Sequence, residues 1–285
     1  MACHALSRDG SKMALTLDGG NGEATILDVA TRMPTTPLDG TLYWNFAAFE
    51  PGGERLVTAT QGTLNLRSAA DGSVITVISD VQTSPWATHP DVSPNGDAIA
   101  YVSVATPAAD WHFSGGSIVT RSFDPGTATF GSPVTLVNGA ENAYYPTFSP
   151  DGKWIMFNRS TEDAYDDASA ELWVVKADGS EPASKIELPN VSSGLTNSWP
   201  RWTPFAQTVG EGANAEPLFW FTFSSKRAFG VRMAAGTRPQ IWMAPFFPAR
   251  VGTGEPSGPA FRLPFQNLNG NNHIAQWTEE IVPVN

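Results

Sequence analysis

"YPTFSPDGKWIMFNR", residues 145–159, holds a short apolar segment, a Ser149-Pro150-Asp151-Gly152 turn and an alternating strand. Asp-Gly supplies the positive φ that a tight hairpin turn needs. Beyond the turn, Trp154 and Met156 alternate with Ile155 and Phe157, so this strand is apolar on both sides. Such a strand has to be covered on both faces. "ELWVVKADGS", residues 171–180, supplies a third strand with a further Asp-Gly, and "SKIELP", residues 184–189, a fourth and more polar one.

The same pattern recurs outward in both directions: "HALSRDGSKMALTL" (4–17), "AAFEPGGERLVTAT" (47–60), "HPDVSPNGDAIAYVS" (89–103), "WPRWTPF" (199–205) and "IAQWTEE" (274–280). The first turn residues are Ser7, Glu50, Ser93, Ser149, Thr203 and Thr278, spaced by 43, 43, 56, 54 and 75 residues. Antiparallel four-stranded units repeating at such periods are blades of a β-propeller. The reading is therefore all-β: a single propeller domain over 1–285, with blades near 1–40, 41–85, 86–140, 141–195 and 196–270. A partial sixth unit follows at 271–285, and we expect six blades with the last incomplete, the alternative being a five-bladed ring. An incomplete sixth blade implies a longer parent chain that extends upstream. The residues just before each turn, Leu6, Phe49, Val92, Phe148, Trp202 and Trp277, are expected to pack between blades near the axis.

Bulk properties agree. The 285 residues are 41% hydrophobic and 16% charged, enough for a sizeable core, and 26 Gly and 23 Pro fit many turns. No apolar run reaches the ~20 residues that span a bilayer, and no basic stretch followed by an apolar core opens the chain. A single cysteine, Cys3, excludes an internal disulfide. The net charge of −11 repels phosphate backbones and argues against a nucleic-acid partner. The charge is uneven: residues 221–262 carry +5, leaving −16 on the rest. Long inserts at 104–117, 160–170, 205–217, 225–238 and 248–272 are expected on the rims, where loops carry binding sites.

The repeats "YPTFSPDGKWIMFNR…ELWVVKADGS" and "HPDVSPNGDAIAYVS" resemble the TolB-like, WD-type propeller repeat along nearly the whole chain. The resemblance implies a bacterial protein of the periplasm or cell envelope that binds a protein or peptide partner. The same repeat also occurs in peptidase accessory domains and sugar-acid lyases, but no Gly-x-Ser-x-Gly nucleophile turn is present. "ACHALSRDG", residues 2–10, resembles the end of the Cys-x-x-Cys-His haem-attachment segment found in some propellers of this type. Its first cysteine is absent, because it falls before Met1, so haem c is implied only for a chain extended upstream. In a closed ring His273 is expected near His4 at the channel mouth, where two imidazoles suit axial haem ligation or a metal. The alternative is that each histidine bonds to backbone at a strand start.

Other candidates sit in the inserts. Asp163, Asp166 and Asp167, with Glu162 and Glu171, offer carboxylates for Ca²⁺, although their spacing is not that of an EF-hand. A solvated acidic hairpin is the alternative. Lys226, Arg227, Arg232 and Arg238 form a basic rim suited to carboxylate or phosphate, the alternative being an ordinary surface loop. Trp111 beside His112 is a rim aromatic able to anchor a partner or to fold its own loop down. His89, before Pro90 at a strand start, reads as structural. The leading expectation is a non-enzymatic binding or scaffold module engaging a protein or peptide at one rim. The rivals are a haem electron-transfer or sensing propeller and a lyase or hydrolase with its site at the channel mouth; no catalytic residue is assigned.

Overall fold

The computed structural model describes residues 3–17, 22–78, 86–191 and 193–280, with the side chain of Thr106 excepted. Its turns explain its blades. Gly10, Gly53, Gly96 and Gly152 take φ of 73°, 67°, 71° and 71°. Each donates its N–H, at 2.9 Å, to the carbonyl of Ser7, Glu50, Ser93 or Ser149. The serine hydroxyl closes the turn from the other side. Ser149 Oγ accepts the Trp154 N–H at 3.0 Å and donates to Asp151 at 2.6 Å, and Ser7 repeats this with Lys12 and Asp9.

These turns join strands into five antiparallel sheets. The first holds β1 (His4–Leu6), β2 (Lys12–Thr16) and β3 (Ala24–Asp28), and the second β4 (Phe46–Phe49), β5 (Arg55–Thr60), β6 (Thr63–Ser68) and β7 (Val74–Ile78). The third holds β8 (Trp86–Val92), β9 (Ala98–Pro107), β10 (Phe113–Asp124), β11 (Thr129–Phe130) and β12 (Val134–Val137). The fourth is β13 (Asn142–Phe148), β14 (Trp154–Ser160), β15 (Glu171–Lys176) and β16 (Ser184–Lys185). The fifth is β17 (Ser198–Val209), β18 (Glu216–Ser225), β19 (Gln240–Phe246) and β20 (Phe261–Arg262). In the first sheet two isolated bridges, Leu27 to Pro34 and Glu23 to Tyr43, stand where the others have an outer strand. Inserts 104–117 and 205–217 are largely strand, as extensions of the β9–β10 and β17–β18 hairpins. The fifth repeat, Thr203-Pro204-Phe205, offers no glycine for a tight turn, so β17 runs on to Val209 and reverses near Gly210 at φ 83°.

The doubly apolar strand does what its pattern dictates. Ile155 and Phe157 of β14 enter one buried cluster, shared with blades two and three, while Trp154 and Met156 enter another, shared with blade five. All four are buried. Pre-turn residues then tie each blade to the one before it. The Phe148 N–H donates to Asp91 at 2.7 Å, and Trp202 Nε1 donates to the Thr147 carbonyl at 3.1 Å.

The expected sixth blade is corrected in favour of the five-bladed alternative: the described residues form five blades. Residues 271–280 take no strand conformation, and 281–285 lie outside the described residues. The segment nevertheless fills the space between blades five and one. Trp277 Nε1 donates to Thr222 of β18 at 3.0 Å, and Gln276 bonds the backbone of β1 from the opposite side, through Leu6 and His4. Thr278 follows the previous turn residue, Thr203, by 75 positions, and β18, β19, β20 and the loop after them occupy that stretch. What remains is one lone spoke.

Candidate functional site

Four residues before the turns of blades three, four and five the inner strands kink. Ladder registers shift between Thr88 and Asp91, between Tyr144 and Thr147, and between Ser198 and Arg201. In the kinks His89, Tyr145 and Trp199 take φ of 48°, 50° and 55°, and Ile274 in the lone spoke takes 59°. Left-handed backbone at bulky residues is strained and persists only where the surroundings impose it. Together with Cys3 and Phe46 these side chains form one ring around the axis. Ring centroids are 4.2 Å apart for Phe46–His89, 4.1 Å for His89–Tyr145 and 3.7 Å for Tyr145–Trp199. The aromatics form a plug between the two faces of the disc. Burial holds the His89 imidazole neutral and pushes the Cys3 thiol up to about 12.

Above the plug lies a cleft of about 280 Å³ with Trp199 in its floor. Tyr165 and Asp166 come from the β14–β15 loop, Lys226 and Thr237 from the β18–β19 loop, and Asn271 and His273 from the lone spoke. Lys226 Nζ meets the Asp166 carboxylate at 2.6 Å, joining blades four and five across the cleft edge. Ser198 and Ser224 add buried hydroxyls. The lining therefore offers an aromatic face, hydroxyls, an amide and one charge of each sign.

The candidates from the sequence scatter around this cleft. His273 stands at the mouth, its imidazole held below the ordinary value by desolvation and by the charge of His4. Among the described residues, no group of three or more His, Cys, Asp and Glu side chains converges as a metal centre. Asp163 pairs with His112 at 2.6 Å, Asp166 with Lys226, and Asp167 accepts the N–H groups of Glu162, Asp163 and Ser169. These three carboxylates hold the loop together and point to different partners. Arg227 is corrected from rim to interior. Only 7% exposed, it lies over Phe223 and Trp242 and donates to Asn197, Ser225 and the Pro189 carbonyl. Arg232 and Arg238 stay exposed on the loop. Trp111 is half-buried and folds onto the core.

Sequence reasoning missed a second site below the plug. A cavity of about 170 Å³ opens on the turn face, walled at the register two residues before each turn. That register reads Ala5, Ala48, Asp91, Thr147, Arg201 and Gln276. The signal was present: reading the six repeats column by column exposes a change from alanine to charged and amide side chains within one structural position.

No protein-family model matches the chain, and no curated protein does. Solved structures match it in fold. The protein assigned as TolB in Agrobacterium tumefaciens superposes with a TM-score of 0.58 at 17% identity, covering 92% of this chain and 79% of that one. TolB from Acinetobacter baumannii gives 0.52 at 13%, over 90% of this chain and 53% of its own length. The hydrazine synthase of Kuenenia stuttgartiensis gives 0.50 at 16%, over 94% and 67%. None of these supports the likeness of "ACHALSRDG" to a haem-attachment segment. At such identities the comparisons speak for architecture alone: the chain is a β-propeller similar in fold to these TolB structures.

Proposed function

We propose that the chain is a non-enzymatic binding module of a bacterial cell envelope that takes a segment of a protein or peptide partner at the channel mouth. The observation that carries this reading is the plugged channel. Because the stacked rings lie across the axis, the mouth is a cleft with an aromatic floor, and three separate segments of one face supply its walls. Aromatic surface beside hydroxyls, an amide and paired charges suits the mixed chemistry of a peptide, and Trp199 is of the type that anchors such contacts. The envelope placement rests on the TolB likeness; among the described residues no helix is long and apolar enough to cross a membrane. Lys226 stays in the proposed contact, and so do exposed Arg232 and Arg238 at its edge; Arg227 does not.

A photo-crosslinking residue placed at Thr237, at the cleft, and separately at Asn95, on the turn face, tests the reading in cells that express the protein natively. A discrete adduct with one partner from position 237, and none from 95, is the expected result. Adducts from both positions alike, or from neither, overturn it.

A further inference from the structure

The turn-face cavity lies on the opposite side of the aromatic ring from the mouth, and its lining differs from that of the mouth. Blades one and two contribute Ala5 and Ala48 to its wall and leave space there; blades three, four and five contribute Asp91, Thr147 and Arg201. The Asp91 carboxylate is fixed by the Phe148 N–H on Oδ2 at 2.7 Å. Arg201 lines this cavity and the narrow space beneath the plug. It lies near enough to act electrostatically on both Asp91 and His89. Yet among the described residues its guanidinium makes no hydrogen bond and no ion pair.

The other polar groups in the wall are committed. Gln276 spends Oε1 on the Leu6 N–H and Nε2 on the His4 carbonyl. Arg8, at the rim, is held by Glu279 and the Pro94 carbonyl. One cation and one carboxylate thus line the same open cavity with no ion pair between them among the described residues. A guanidinium fork matches a carboxylate, and a carboxylate in a confined site matches an ammonium group. At ~30 Å³ per water, the space equals roughly five or six waters, enough for a very small molecule and too little for a folded peptide loop.

We infer that this cavity is a binding site for a small zwitterion of the α-amino-acid type, with Arg201 taking the carboxylate and Asp91 the ammonium group. Thr147, on the blade between them, has its side chain hydrogen-bonded to the Asp91 carboxylate and steadies it.

The test uses glycine, the smallest such molecule, and its two halves, acetate and methylammonium. Each is titrated against the protein at matched ionic strength and neutral pH, with ligand linewidths read by NMR. Glycine is expected to bind in the millimolar range, with each half weaker by about tenfold or more. Arg201→Gln and Asp91→Asn are each expected to weaken glycine by about tenfold, and Asp91→Asn to bring glycine and acetate level. Circular dichroism verifies that each variant is folded. Should Arg201→Gln not fold, Arg201→Lys keeps the charge, loses the fork and is still expected to weaken glycine. Absence of glycine binding to the folded protein overturns the assignment. So does acetate binding as tightly as glycine, or glycine binding that none of the folded variants changes.

Discussion

Tyr145 and Trp199, separated by 54 positions in sequence and one blade in space, stack on the axis with ring centroids 3.7 Å apart and planes inclined by 23°. Their backbones occupy the same left-handed kink, and each precedes a proline. The strain of both kinks is balanced by the contact they create. That contact lies across the axis between the mouth cleft and the turn-face cavity.

Removing one partner should therefore cost stability as a core truncation does. Trp199 is 8% exposed and packs on Tyr145 and Phe46. Trp199→Ala is expected to lower unfolding free energy by about 3 kcal/mol, as large aromatic truncations do. Trp199→Phe keeps a ring on the axis and should cost less than half as much. Urea unfolding measures both. Equal losses for the two variants would show that a ring retained on the axis contributes nothing to stability.

Two buried groups in the channel titrate with opposite consequences. Burial pushes the Asp91 carboxyl up to about 6, against the pull of Arg201. Between about pH 4 and 6 the folded protein keeps a proton that the unfolded chain has released, so this residue makes stability fall as pH rises through that window. Burial holds His89 well below its ordinary value. Below about pH 6.5 the unfolded chain takes up a proton that the folded state refuses, so this residue makes stability rise with pH. Asp91→Asn should remove the first slope and leave the second; His89→Gln should do the reverse. Unfolding midpoints of the three proteins at pH steps between about 4 and 7 decide it. Parallel pH profiles for the parent and Asp91→Asn would mean that the carboxyl is solvated.

The blades were legible in the sequence because turn chemistry is local. Ser-x-Asp-Gly and its variants need only their own residues to close, and a strand apolar on both faces announces its two neighbours. The blade number was not legible, since "IAQWTEE" carries the repeat signature while taking no strand conformation: hydrogen bonding beyond the spoke decides that, and no local residue encodes it. Arg227 misled for a similar reason. It is written in a basic run with Lys226, but β18 ends at Ser225 and the turn sends Lys226 to the cleft and Arg227 beneath it. Asp91 and Arg201 escaped notice because they lie 110 positions apart and meet only through the pseudo-symmetry of the ring.

Cys3 offers a sharper view of the ring's closure than its place in the sequence suggests. Its carbonyl accepts the Thr16 N–H at 3.1 Å, its side chain packs on the core, and its thiol is pushed up to about 12. At pH 8 the thiolate population should be on the order of a thousandfold below that of a free cysteine. Iodoacetamide should therefore label the native protein very slowly and the urea-unfolded chain at the rate of a model peptide, as intact mass will show. Equal rates in the two states would place Cys3 outside the axial ring.

The lone spoke closes the ring by side chains where a full blade would use a ladder. Gln276 accepts the Leu6 N–H at 3.2 Å and donates to the His4 carbonyl at 3.3 Å, so one amide satisfies the free edge of β1 in both directions. Glu279 contributes differently: its N–H donates to the Arg8 carbonyl at 2.8 Å, and its carboxylate pairs with the Arg8 side chain near solvent. A backbone edge left without partners inside a protein costs more than an exposed ion pair returns. Gln276→Ala should then lower stability by about 1–3 kcal/mol, whereas Glu279→Ala, which keeps its backbone bond, should change it by less than about 1 kcal/mol. Gln276→Glu separates closure from volume. It keeps the acceptor for Leu6 and loses the donor for His4, and it should fall between the parent and Gln276→Ala at neutral pH. Thermal unfolding of the four proteins ranks them. If Glu279→Ala proved the most damaging of the three variants, the ring would be held by its surface charge pair, and the amide of Gln276 would be a bystander at the seam.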